Sequence, residues 1–170
     1  MRYIMKQKIW SFGDDFTIKD ESGRDHFRVD GRALSLGDKL SFQDMAGREL
    51  VFIRQKLLSW GNTYVLQQTG GDGTETIVKE KLWTFFRDRF TIDVGADGPT
   101  PDDFEIQGNF SDHEYTFHRQ GQPIAQVSKR WFSWTDTYGV DIADGEDHVL
   151  ILACTVVVDL CIEKEHRHRH

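Results

Sequence analysis

Apolar and polar side chains alternate along most of this chain. Phe16 and Ile18, Phe27 and Val29, and Tyr115 and Phe117 are each separated by one polar residue. A period of two puts every second side chain on one face of a β-strand. The alternating runs are short and are cut by turn-forming pairs: Ser22-Gly23, Ala46-Gly47, Gly61-Asn62, Gly70-Gly71, Asp97-Gly98 and Gln120-Gly121. A turn signal at about every ten residues is the cadence of a β-barrel or β-sandwich. The pattern predicts twelve strands, with cores at 3–11, 15–19, 26–30, 39–44, 49–57 and 63–68, then 76–84, 89–94, 104–108, 114–118, 123–130 and 137–142.

The second six strands repeat the first. KQKIWSFGDDFTI at 6–18 returns as KEKLWTFFRDRFTI at 79–92, with one residue inserted. FRVDG, ending at Gly31, returns as FEIQG, ending at Gly108. GRELVFIRQKLLSWGNTY at 47–64 aligns with GQPIAQVSKRWFSWTDTY at 121–138. Two long copies do not build a solenoid, which needs at least three shorter ones. They close one body with approximate two-fold symmetry, so residues 1–70 and 76–142 are expected to superpose. Trp10 is then expected to match Trp83, and Trp60 to match Trp134. The duplicated Trp60/Trp134 and Tyr64/Tyr138 read as packing residues at equivalent corners of the core.

Residues 146–164, EDHVLILACTVVVDLCIEK, have no counterpart in the first copy. From Val149 to Ile162 only Thr155 and Asp159 interrupt the apolar run. The run is too long for an ordinary strand. Asp147 before it and Lys164 after it suit the two ends of a helix over 147–163. A helix that is apolar on all sides must be buried or in lipid, and about ten continuous apolar residues fall well short of the roughly 20 that span a bilayer. A closed twelve-stranded barrel around this helix satisfies both patterns. Asp159 inside it needs hydrogen-bond partners or a place at the barrel mouth.

At 170 residues the chain has the length of one domain, with a globular share of aromatic and charged residues. The expected domain covers 1–165, followed by a basic His/Arg tail at 166–170. A net charge of −7 argues against non-specific nucleic-acid binding. No apolar leader follows Met1. Cys154 and Cys161 would lie about 10 Å apart along a helix, beyond disulfide reach. As buried free thiols they fit a reducing cytoplasm, the expected location, with a peripheral membrane association as a variant of it.

The motifs KQKIWSF, FTI, FRVDG, SLGDKLSFQD, GREL, QKLLSW and LILACTVVVDL, in this order, resemble the LURP-one-related family, which belongs with the Tubby C-terminal domains and phospholipid scramblases. The resemblance covers essentially the whole chain. It implies a mainly β, Tubby C-terminal-like fold: a closed twelve-stranded barrel from two tandem six-strand repeats, enclosing a C-terminal hydrophobic helix. It also implies a wall that binds anionic phospholipid or phosphoinositide headgroups through basic residues, or a scramblase-like handling of lipid as the alternative.

Chemistry is sparse. Nucleophile elbow, P-loop, dinucleotide and zincin motifs are all missing, so the chain reads as a non-enzymatic binding or scaffold protein with no cofactor. A small-molecule enzyme is the weakest alternative, and an unidentified protein partner is as compatible as a lipid. The basic residues at matching places in the two copies, Lys56 and Lys129-Arg130, are expected to join Lys81 in any anion site. Solubilising charge on outward strand faces is the plainer account of the same residues. Asp141, Asp144 and Glu146, with Asp147, have the oxygens of a hard-cation site but not the EF-hand spacing. They read first as a polar loop and helix cap. His166, His168 and His170 read as a solvated, frayed terminus.

Overall fold

The computed structural model describes residues 1–6, 15–31, 39–59, 61–81, 89–132 and 136–168. The first half contributes β1 (Arg2–Lys6), β2 (Phe16–Asp20), β3 (Asp25–Asp30), β4 (Lys39–Asp44), β5 (Glu49–Gln55) and β6 (Thr63–Gln68). The second contributes β7 (Glu75–Lys81), β8 (Arg89–Val94), β9 (Phe104–Asn109), β10 (Glu114–Arg119), β11 (Gln122–Ser128) and β12 (Thr137–Ile142), followed by α1 (His148–His168). Each strand pairs antiparallel with its sequence neighbours, and β1 pairs with β12, so the sheet closes into a barrel with no free edge.

The two halves join with the same register. Tyr64 faces Val78 across β6 and β7, and Tyr138 faces Met5 across β12 and β1. Bulges also recur in equivalent places, after Phe42 in β4 and after Phe117 in β10. Two turns share one device. In Asp20–Arg24 and Asp44–Arg48 the aspartate carboxylate accepts backbone N–H groups two and four residues on, and the arginine of the same turn donates to its other oxygen. Gly23 and Gly47 supply the positive φ, 82° and 83°, that lets each chain reverse.

Inward residues of every strand share one buried core with α1, whose residues 150–161 are all buried. Asp147 caps the helix: its carboxylate accepts the Leu150 N–H at 3.0 Å, and its other oxygen accepts from Gln68. The helix starts at one end of the barrel, here the base, and finishes at the other, the rim, where Lys164 donates to Gln55. Each buried leucine or valine contributes about 1.5–3 kcal/mol relative to exposure, so the helix is the filling that lets a barrel of this width have a core. Both cysteines are buried and free. Among the described residues no helix is long and apolar enough to cross a membrane.

Several boundaries differ from the sequence pattern. β5 ends at Gln55 and β11 at Ser128, because Lys56 and Lys129 already belong to turns, closed by Ser59 Oγ on the Lys56 carbonyl and Phe132 N–H on the Lys129 carbonyl. The helix continues five residues beyond the predicted end at 163, so His166 and His168 lie in its last turns and are not a frayed tail. Basic side chains there face the negative end of the helix dipole. The far ends of the predicted strands 3–11 and 76–84, the four tryptophans Trp10, Trp60, Trp83 and Trp134, and His170 lie outside the described residues.

Candidate functional site

Among the described residues, the polar grouping on the central helix is centred on Asp159. Asp159 of α1, only 7% exposed, accepts a short hydrogen bond from the Tyr138 hydroxyl and a second contact, 3.1 Å, from Nε2 of His113. His113, in the β9–β10 turn at φ 51°, stacks on Tyr138 with ring centres 4.5 Å apart. Asp159 is thus buried with partners and not at an open mouth. Burial, then the Asp159 charge, raise the Tyr138 and Tyr115 hydroxyls well above their usual range, and burial raises the Cys154 thiol. These groups pin the helix to β12 and to the β9–β10 turn, and the packed core leaves no approach to them.

The predicted basic residues do not converge. Lys56 follows β5 and Lys129-Arg130 follow β11, and five strands separate β5 from β11 in either direction round the barrel. The reason is the strand order: β5 and β11 fall six places apart in a ring of twelve and so lie on opposite walls. Arg130 also faces the Glu114 carboxylate at 3.8 Å, which offsets its charge. Lys81 is exposed at the end of β7, two strands from Lys56 and four from Lys129. The acidic residues before the helix are separately engaged. Asp141 pairs with Arg2 at 3.3 Å and Glu146 with Arg119, while Asp144 is exposed. Among the described residues no three metal-binding side chains are grouped to hold an ion.

Two surface features stand out in their place. At the rim, Leu57 and Leu58 are 65% and 99% exposed. Their counterparts in the second copy, Trp131 and Phe132, lie against the wall over Gly139, with the Arg2 guanidinium 4.1 Å above the Trp131 ring. A Cβ at Gly139 would come within 2.6 Å of Trp131 and 2.9 Å of Phe132. Position 65, which matches Gly139, is a valine and is itself only 3% exposed. The second feature is a groove of about 770 Å³ on the outer wall. Its floor is β8, β9 and β10. The β8–β9 connection, residues 95–103, overhangs it, and Lys81 stands at its edge. Sequence reasoning missed both features. Aligning the two copies carries the signal for each: Leu-Leu against Trp-Phe, and 95–103 against the much shorter 21–24.

The sequence profile of the LURP-one-related family matches residues 1–159. The chain belongs to that family. An uncharacterised protein, YxjI of Bacillus subtilis (strain 168), is 35% identical over 159 residues, covering 94% of this chain and 92% of its own length. An X-ray structure of a protein from Arabidopsis thaliana superposes with a TM-score of 0.68 at 17% identity, covering 93% of this chain and 90% of that one. The plant protein supports the LURP-one-related barrel as a fold and says nothing of a ligand.

Proposed function

We propose that this LURP-one-related barrel is a non-enzymatic binding protein that docks on anionic phospholipid surfaces by its rim, through the β5–β6 turn. The observation that carries the reading is the pair Leu57 and Leu58, 65% and 99% exposed directly after Lys56. Two adjacent leucines on a turn are costly to leave in water and suit the headgroup–acyl boundary. Lys56 and, two strands away on β7, the exposed Lys79 add positive charge to the same end of an otherwise acidic protein. Each basic residue near an anionic surface contributes about 1 kcal/mol. The filled interior supports an exterior site, since admitting a ligand there would expel α1. It also disfavours scramblase-like lipid movement, which would need the helix to leave the barrel.

Sedimentation with phosphatidylserine-containing and pure phosphatidylcholine vesicles tests the reading. Wild type is expected to pellet with the first and not the second, more weakly as salt rises. Leu57→Ser with Leu58→Ser is expected to reduce binding by about tenfold or more, and Lys56→Glu to flatten the salt dependence. Absence of binding at low ionic strength, or an unaffected double serine variant, overturns it.

A further inference from the structure

The duplicated fold contains its own control. β2 and β3 are joined by residues 21–24, whereas the equivalent β8 and β9 are joined by 95–103. Closing the sheet requires only the shorter link, so the longer one is an addition. It is firmly held. Asp103 accepts the Val94 and Thr100 N–H groups, both at 2.9 Å, and the Thr100 hydroxyl at 3.1 Å. From the next turn, Arg119 donates to the Asp102 carbonyl and Gln120 to the Pro101 carbonyl. The overhang and the wall beneath it form the groove of about 770 Å³, a volume in the range of small-molecule sites, about 300–1,000 Å³.

The side chains on its floor are unlike those at the matching places of the first copy. Glu105 lies between Thr91 and His118 in the cross-strand row and is taken up by Arg89 at 3.4 Å and Gln107 at 2.9 Å. Asp103 is committed to the overhang. Asp93 is left over: its Oδ1 and the Nδ1 of His118 are both shut off from solvent without a hydrogen-bond partner among the described residues. In the first copy, Lys19 stands in place of Asp93 and is ion-paired with Asp25, and Gln43 stands in place of His118 and donates to Ser41 at 3.0 Å. The copy without an overhang satisfies these positions internally. The copy with one leaves both atoms unpaired just beneath the groove that their residues line, and leaving a buried carboxylate oxygen without a donor is unfavourable unless a turn of the side chain brings it to one.

Asp93 calls for a cationic donor, and Lys81, exposed at the other end of the groove, for an anion. Lys81 pairs with Arg89 across the sheet, four residues along β8 from Asp93. That is about 13 Å at 3.3 Å per residue; an extended tripeptide covers about 10 Å of it, and the lysine side chain, standing off the sheet, leans over the rest. We propose that the groove binds a small zwitterion of about tripeptide length, its ammonium on Asp93 and its carboxylate toward Lys81. Thr91, Gln107 and His118 face the span between and offer neutral hydrogen-bonding groups to amides.

Calorimetric titration of the full chain with trialanine is the test, alongside N-acetyl-trialanine, trialanine amide and free alanine. Trialanine is expected to bind, and blocking either end, or shortening to alanine, to weaken it by about tenfold or more. Asp93→Asn is expected to lose the preference for a free amine, and Lys81→Met the preference for a free carboxylate, each in a protein that still melts cooperatively, Asp93→Asn at or above the wild-type temperature because it removes an unpaired shielded charge. Failure of trialanine to bind at millimolar concentration overturns the proposal. So does equal binding of the acetylated and free peptides, or an Asp93→Asn variant that binds as wild type does.

Discussion

Asp159 is the residue at which the fold departs furthest from an all-apolar core. A lone carboxylate among valines and leucines would be strongly unfavourable, and the Tyr138 hydroxyl and His113 ring make it tolerable. Tyr138→Phe removes the donor and leaves the charge. The expected loss is about 1.5–3 kcal/mol, the range for a hydrogen bond to a charged group, read from the urea midpoint at constant m-value. A variant as stable as wild type would mean that the hydroxyl does not hold the carboxylate. Asp20, only 5% exposed at the β2–β3 turn, is a carboxylate held by hydrogen bonds from its own turn. The Ser22 hydroxyl above all, then the Arg24 N–H, His26 and the Arg24 side chain, hold its carboxyl far below the usual range. Asp44 is lowered by the Arg48 N–H and side chain in the matching turn. A carboxyl whose folded pKa is depressed adds stability above its unfolded pKa, near 3.9, and loses it as pH falls toward the folded value. The melting-temperature gap between wild type and Asp20→Asn is therefore expected to be full at pH 7 and to close below about pH 4. A gap that is constant down to pH 2 would show that the hydrogen-bonded charge contributes nothing.

Among the elements, α1 is the one the barrel cannot dispense with. Leu152 is fully buried within it, and Leu152→Ala is expected to cost about 2–5 kcal/mol. A chain ending at residue 145 is expected to lose its cooperative unfolding transition, since the inward faces of twelve strands would have nothing to pack on. A soluble truncation that melts cooperatively would refute the filling role. The strands were legible because their signals are local: alternation sets the inward face, and Gly23, Gly47 and Gly121 mark turns that need a positive φ. The helix was legible because an unbroken apolar run is too long for a strand. Its last turns were not, because Glu163 to His168 carry no apolar pattern and continue the helix through ladder bonds and an Arg167–Glu163 pair. The candidate sites were the least legible part. Asp93 and His118 are ordinary outward residues of alternating strands. Only the register that sets them beside a committed Glu105, under an overhang pinned by Asp103, makes them open groups. Asp103 itself reads in sequence as plain loop.

At the scale of the whole molecule, duplication explains both the regularity and the departures from it. Two copies with the same register give a closed wall, and place matching residues such as Lys56 and Arg130 on opposite sides, where they cannot share a ligand. Function is then to be sought where the copies differ. The rim offers a direct exchange. Gly139 leaves room for Trp131 and Phe132 against the wall, whereas the same place in the first half is a covered Val65 and its Leu57 and Leu58 stand exposed. Gly139→Val makes the second half like the first. The new side chain would begin 2.6 Å from the Trp131 ring, well inside contact distance, so the aromatic pair has to lift away, and the Arg2 stacking on Trp131 goes with it. The expected result is a modest loss of stability together with a second exposed apolar tip beside Lys129 and Arg130. If the rim docks on anionic lipid, this variant binds phosphatidylserine-containing vesicles more tightly than wild type. It also keeps measurable binding when Leu57 and Leu58 are both serine. A Gly139→Val protein that folds, exposes Trp131 to an aqueous quencher and gains no vesicle affinity would show that apolar side chains at the rim do not drive the association.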